Sequence, residues 1–466
     1  MTLSHKCLEF EEPIYRYKTR MVDCPMVTAN ERRQVPTTTP DNMFTLDFSC
    51  MVNDQVLCDK VRNVFITAGK FITATLNLKS AVSVKAQFLD FCVNFNDCDT
   101  NEVILGAAGP ARMIPNQDTD GKIRLYPQAL YKQLNLPEHP QFGPNEIQAT
   151  FNANMTYWFD GDPLPMQFRQ ADLLYVVLHE LIHGLGFINS WNDYMGLQAL
   201  TPFIAGIMQS NSPIPTPGGP GAPGGAPGGT PGGGIPPTAK GQFVELVFDK
   251  NLVFLQNGQS LTSLTDQLNN FQINLNLPDN EVVASFAKSP QFQIAKNVYD
   301  NAVVHGTIGF LLTPGDPPNT PLTADQIKNN VFLLETSLNP FVPSSSIGHV
   351  DFETYANSSD FLMLFTYPHG LTLNEMMTRS GTTNTYGPIG PNLRTLLGIM
   401  GYEVKTDYTP PVTLNGSSDT TNASTTVTFN TTNTTTNNDN HSNSSIVNYN
   451  IVLTLFCILL ANYFVH

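Results

Sequence analysis

Asp172–Phe187 reads DLLYVVLHELIHGLGF. Within it, His179-Glu180-Leu181-Ile182-His183 matches the pattern H-E-x-x-H. On a helix, residues four apart share a face, so His179 and His183 stand side by side, able to hold one Zn²⁺. Glu180 then lies a short reach from the water that such an ion activates. Leu173, Leu174, Val176, Val177, Leu178, Leu181 and Ile182 leave almost no polar side, which predicts a buried helix. Buried ionisable groups are costly unless paired or metal-bound, so two imidazoles and a carboxylate there call for a cation. Gly184 and Gly186 follow, residues suited to ending the helix.

The composition points outside the cell. Of 466 residues 14% are charged, against roughly 25% in ordinary soluble proteins, and the net charge is −15. So acidic a chain argues against nucleic acid as a partner. Seven cysteines are present. Cys457 lies in an apolar C-terminal run; Cys7, Cys24, Cys50, Cys58, Cys92 and Cys98 all precede residue 100. No C-x-x-C spacing occurs, so three disulfides are expected, Cys50/Cys58 and Cys92/Cys98 being attractive short-loop pairs. Disulfides imply an oxidising compartment. Against this, Met1–Pro13 lacks the apolar run of a secretory leader.

Along the chain, Val64–Thr67 and Val82–Phe88 are β-branched or alternate, and both read as strands. Asn116–Gly121 opens like a calcium loop, but Pro127 stands where the bidentate Glu belongs, so it reads as a polar turn. Asp160 and Asp162 read as turn formers. Glu146–Ala153 alternates as a half-buried strand does. Residues 212–237, SPIPTPGGPGAPGGAPGGTPGGGIPP, cannot bury a core and read as a disordered surface loop. Phe243–Phe248 reads as a strand and Pro290–Val304 as a helix. Residues 406–445, rich in Thr, Asn and Ser, read as a disordered stalk. N-x-[ST] sequons begin at Asn154 and Asn357 and recur along the stalk. The final IVLTLFCILLANYFVH is too short to span a bilayer. With the small residues Ser442–Ser445 upstream, 446–466 has the layout of a glycosylphosphatidylinositol (GPI) anchor signal, a short tail anchor or a loose apolar tail being the alternatives.

His179, Glu180, His183 and Gly186 resemble the signature of the metzincin clan of zinc peptidases, H-E-x-x-H-x-x-G-x-x-H. Where that signature ends in histidine, this chain has Asn189, so a third ligand must come from elsewhere. His305, His349 and His369 are the candidates. Ser345–His349 followed by Asp360-Phe361-Leu362-Met363 is similar to leishmanolysin-type members of the clan. There a long insertion precedes the third histidine, and a D-x-L-M sequence supplies a methionine turn. The resemblance implies His349 as third ligand and Met363 as that methionine. His369, with Met376 or Met377, is the rival; His305 has no methionine at useful distance. Tyr367 does not fit the clan's tyrosine spacing and receives no role.

The fold implied is α+β, a metzincin-like zincin catalytic domain with a twisted sheet, an active-site helix and a small C-terminal subdomain. Residues 1–195 would form the N-terminal catalytic subdomain, 196–345 an insertion and 346–405 the C-terminal subdomain, followed by stalk and anchor signal. An edge strand at 146–153 would bind extended substrate by backbone pairing; an ordinary sheet strand is the alternative. The function implied is a zinc-dependent endopeptidase of protein or peptide substrates. It would sit outside the cell, held to the outer leaflet or cell wall by a lipid anchor. His179, His183 and His349 would hold Zn²⁺, with Glu180 as general base. Two other readings stand beside it: a catalytically weak adhesion or cell-wall protein, and a zinc hydrolase of non-peptide substrates.

Overall fold

The computed structural model describes residues 6–14, 19–28, 38–98, 103–134, 136–205, 240–313, 315 and 317–411. The segments read from sequence as a Pro/Gly-rich loop (212–237) and an anchor signal (446–466), and nearly all of the one read as a stalk (406–445), lie outside the described residues. Within them the fold is mixed α and β.

Four strands, β1 (Phe44–Cys50), β2 (Val82–Leu89), β3 (Gly106–Pro110) and β4 (Ile147–Asn152), form a sheet in the order β1-β2-β4-β3. β1, β2 and β4 run parallel, and β3 lies antiparallel to β4 at the edge. The strand expected over 146–153 therefore exists but is interior. β3 lies at the edge instead, and its sequence Gly-Ala-Ala-Gly-Pro is too small-sided to show alternation.

Two helices cover the sheet. The first, α1, spans Gln55–Thr75 and absorbs Val64–Thr67, for which the sequence predicts a strand. Cys58, Val61, Phe65, Ala68, Ile72 and Thr75 recur every three or four residues and all are buried. That continuous apolar stripe outweighs the local β-propensity of four residues. Asp54 caps the helix by accepting the Leu57 N–H at 2.9 Å. Phe65 of α1 meets Phe151 of β4 edge-on at 5.2 Å. The second helix, α2, spans Leu173–Leu185 and is buried along almost its whole length.

The segment after α2 adds a three-stranded antiparallel sheet of Leu252–Phe254, Ile308–Leu311 and Val331–Leu333. A helix forms at Pro290–Ala302, as its sequence predicts. Phe243–Phe248 is only partly a strand: Lys240–Val244 is extended, and Val247–Asn251 turns into a 3₁₀ helix. Asp249 causes the turn by accepting the Leu246 N–H, and it also receives the Ser190 N–H just beyond α2. Phe248, Phe310 and Phe332 join Leu178, Phe187 and Leu397 in one apolar cluster.

Asn116–Gly121 joins strands Arg112–Gln117 and Ile123–Pro127 as a turn, with Asp118 and Asp120 paired to buried Arg124. Three disulfides form: Cys7–Cys24, Cys50–Cys58 and Cys92–Cys98. Among the described residues no helix is long and apolar enough to cross a membrane.

Candidate metal centre

The ends of α2 are set by side chains and by glycine. Buried Asp172 caps the start: one carboxylate oxygen accepts the Leu174 N–H at 2.9 Å, the other the Leu373 N–H at 2.8 Å. Burial raises its pKa to about 6. Gly186 ends the helix at φ 117°, where any Cβ would meet Pro127 Cγ at 2.7 Å and Met400 Cε at 2.8 Å. Gly184 lies flush on β4, since a Cβ there would fall 2.5 Å from Ile147 Cγ2. The helix is thus pinned lengthwise and pressed onto the sheet.

His179 and His183 project from one face of α2, and His349 meets them from a loop 166 residues further on. The three Nε2 atoms lie 3.1, 3.1 and 3.2 Å apart, and all three residues are buried. Each Nδ1 faces a backbone carbonyl: Leu362 O at 2.7 Å from His179, Phe187 O at 2.7 Å from His183, and Ser345 O at 3.2 Å from His349. A carbonyl only accepts, so each ring is fixed as the Nδ1–H tautomer and turns an unprotonated Nε2 inward. Three such acceptors cannot hydrogen-bond one another. A cation shared between them resolves the crowding, and these three residues are a set able to hold a metal ion.

The distal elements that deliver His349 interlock. Val350 N–H donates to Met363 O at 2.9 Å, and Glu335 N–H donates to His349 O at 2.9 Å. Met363 ends the 3₁₀ turn Phe361–Met363, is fully buried, and follows the Leu362 whose carbonyl holds His179. A Cβ on Gly348 would fall 3.6 Å from Asn189 Nδ2. His349 therefore arrives beside position 189, the one that departs from the H-E-x-x-H-x-x-G-x-x-H pattern.

The rival histidines are elsewhere. His305 pairs with Asp351 at 2.8 Å. His369 stacks on exposed Phe168 at 4.6 Å, and Met376 and Met377 are buried in the helix Leu373–Ser380. The Tyr367 hydroxyl donates to Leu371 O and accepts the Asp172 N–H at 3.1 Å, so it serves the start of α2.

Glu180 stands between the two helix histidines, and its Oε2 accepts the Ala108 N–H at 2.7 Å. Ala108 lies on β3, so this hydrogen bond ties the carboxylate to the edge strand of the sheet. Neither this contact nor the grip of Glu335 on the His349 loop is visible in the sequence, because both join residues far apart in the chain through backbone groups.

A family model described as SPBPB7E8-like matches residues 5–437, so the chain belongs to that family. The chain is also similar to "Uncharacterized protein PB7E8.01" of Schizosaccharomyces pombe, with 27% identity over 385 residues. That match covers 78% of this chain and 63% of the relative, so the chain spans under two thirds of the relative's length. No solved structure matches the chain.

Proposed function

We propose that this SPBPB7E8-like protein is a zinc-dependent endopeptidase with a metzincin-like catalytic arrangement. The observation that carries the reading is the trio of inward-facing Nε2 atoms, with Glu180 on the same helix bonded to the edge strand of a sheet. Three nitrogens bound to one tetrahedral Zn²⁺ at the usual distances lie about 3.4 Å apart, close to the spacing of the trio. The donor set, imidazole only and buried, suits zinc better than calcium or magnesium, which prefer oxygen. When bound, zinc supplies Lewis-acid polarisation and makes water acidic near neutral pH.

The chain's own residues do the rest. Glu180 takes the proton from the attacking water and returns it to the leaving amine. The Ala108 N–H orients the Glu180 carboxylate. Substrate would lie along β3 as an added strand, bound through backbone groups of the open edge and held straight for attack. Three disulfides, and sequons at exposed Asn154 and Asn357, support a place outside the cell. A GPI anchor at the cell surface is part of the same proposal.

The test is zinc content and casein cleavage for the purified protein and for Glu180→Gln. We expect one zinc per chain, cleavage abolished by a chelator, and a Glu180→Gln form that keeps its zinc but loses about 10²–10⁴-fold in rate. A Glu180→Gln form that cleaves normally would refute the base assignment. Zinc bound without any casein cleavage would favour a binding role.

A further inference from the structure

One buried carboxylate has no part in the chemistry above. Glu335 follows the strand Val331–Leu333 and is 0% exposed. Its Oε1 accepts the Ser337 N–H at 2.7 Å and the Ser337 hydroxyl, and its Oε2 accepts the Phe352 N–H at 3.2 Å. Its backbone is engaged with the same loop: its N–H donates to His349 O at 2.9 Å, and its C=O accepts the Ile347 N–H at 2.8 Å. Glu335 thus grips the third-histidine loop before, at and after the ligand.

The charge matters as well as the grip. The donors that reach Glu335 are neutral N–H and O–H groups, and among the described residues no ion pair includes it. Neutral donors spread a carboxylate's charge without cancelling it, and a buried charge lacking compensation is costly. The same loop completes the three-imidazole pocket, so a cation bound there would bring positive charge to the loop that Glu335 holds.

We propose that Glu335 is a positioning residue for the metal, which locks the His349 loop and adds a buried negative charge favouring a divalent cation. This rests on the zinc reading but not on peptidase activity. The insertion would then be wired to the third ligand rather than merely inserted before it.

The experiment is zinc affinity, measured by competition with a chromogenic chelator. It is read beside the melting temperature of the metal-free protein and the visible spectrum of the Co²⁺-substituted form. Glu335→Gln is expected to weaken zinc binding by about 10–100-fold, the range seen when outer-shell partners are removed. Its Co²⁺ bands should shift, and Ser337→Ala, which keeps the carboxylate, should bind zinc more tightly than Glu335→Gln. Unchanged zinc affinity in Glu335→Gln overturns the proposal, as does a fall in stability that is equal with and without metal. Should Glu335→Gln not fold, Glu335→Asp decides: it keeps the charge but shortens the reach, and zinc affinity equal to the natural protein's refutes the positioning role. A natural protein that binds no zinc overturns both this proposal and the reading beneath it. Absence of casein cleavage overturns only the peptidase reading, because cleavage is not what is measured.

Discussion

Each imidazole at the centre has its Nδ1 committed to a carbonyl, and that commitment decides what the ring can do. Fixed tautomers mean that little rearrangement is needed when a cation arrives. Asp360 shows the same economy at a different site. Its Oδ1 accepts the Asn392 and Leu393 N–H groups at 2.9 and 3.1 Å, capping the helix Pro391–Met400, and burial raises its pKa to about 6. An acid with a raised folded pKa holds its proton in the native state after the unfolded chain has released it. Its protonation therefore stabilises the fold at low pH, and that contribution is lost as pH rises from about 4 to about 6. Asp360→Asn keeps a capping oxygen and cannot titrate. Chemical denaturation of the metal-free protein across that window should show a smaller loss of stability with rising pH in Asp360→Asn. An identical pH dependence would contradict the assignment.

Among the elements, α2 bears the most constraint. Gly186 combines a φ of 117° with close approaches to Pro127 and Met400, so Gly186→Ala adds both backbone strain and a clash. We expect a loss of about 1–3 kcal/mol from the backbone term alone, read as a lower denaturation midpoint. A midpoint equal to that of the natural protein would show that the helix end can relax. This element was also the most legible in the sequence. Apolar periodicity, the glycines and the H-E-x-x-H spacing all lie within one short stretch, where local rules suffice. Val64–Thr67 misleads because four β-branched or aromatic residues look like a strand, whereas the stripe from Cys58 to Thr75 shows only over several turns. β3 is hidden for the opposite reason: glycine, alanine and proline carry no pattern, and its edge position depends on pairing with β4.

At the scale of the whole molecule, the site is assembled from parts that the chain separates. His349 was reachable from sequence only through the resemblance of Ser345–His349 and Asp360–Met363 to a known arrangement; no periodicity links residues 166 apart. Glu335 and Ala108 carry no sequence signal: the Ala108 backbone N–H meets a carboxylate 72 residues on, and the Glu335 carboxylate reaches an N–H 17 residues on, with no pattern linking either pair. Phe248, Phe310 and Phe332, from the segment between α2 and His349, share one apolar core with α2. The account stands on those three imidazoles sharing one ion. X-ray absorption at the zinc edge, on the protein as purified and on His349→Ala, tests this directly. The account predicts three imidazole nitrogens at about 2.0–2.1 Å in the natural protein and one fewer in His349→Ala. Sulfur neighbours, or the same three nitrogens surviving in His349→Ala, would contradict it.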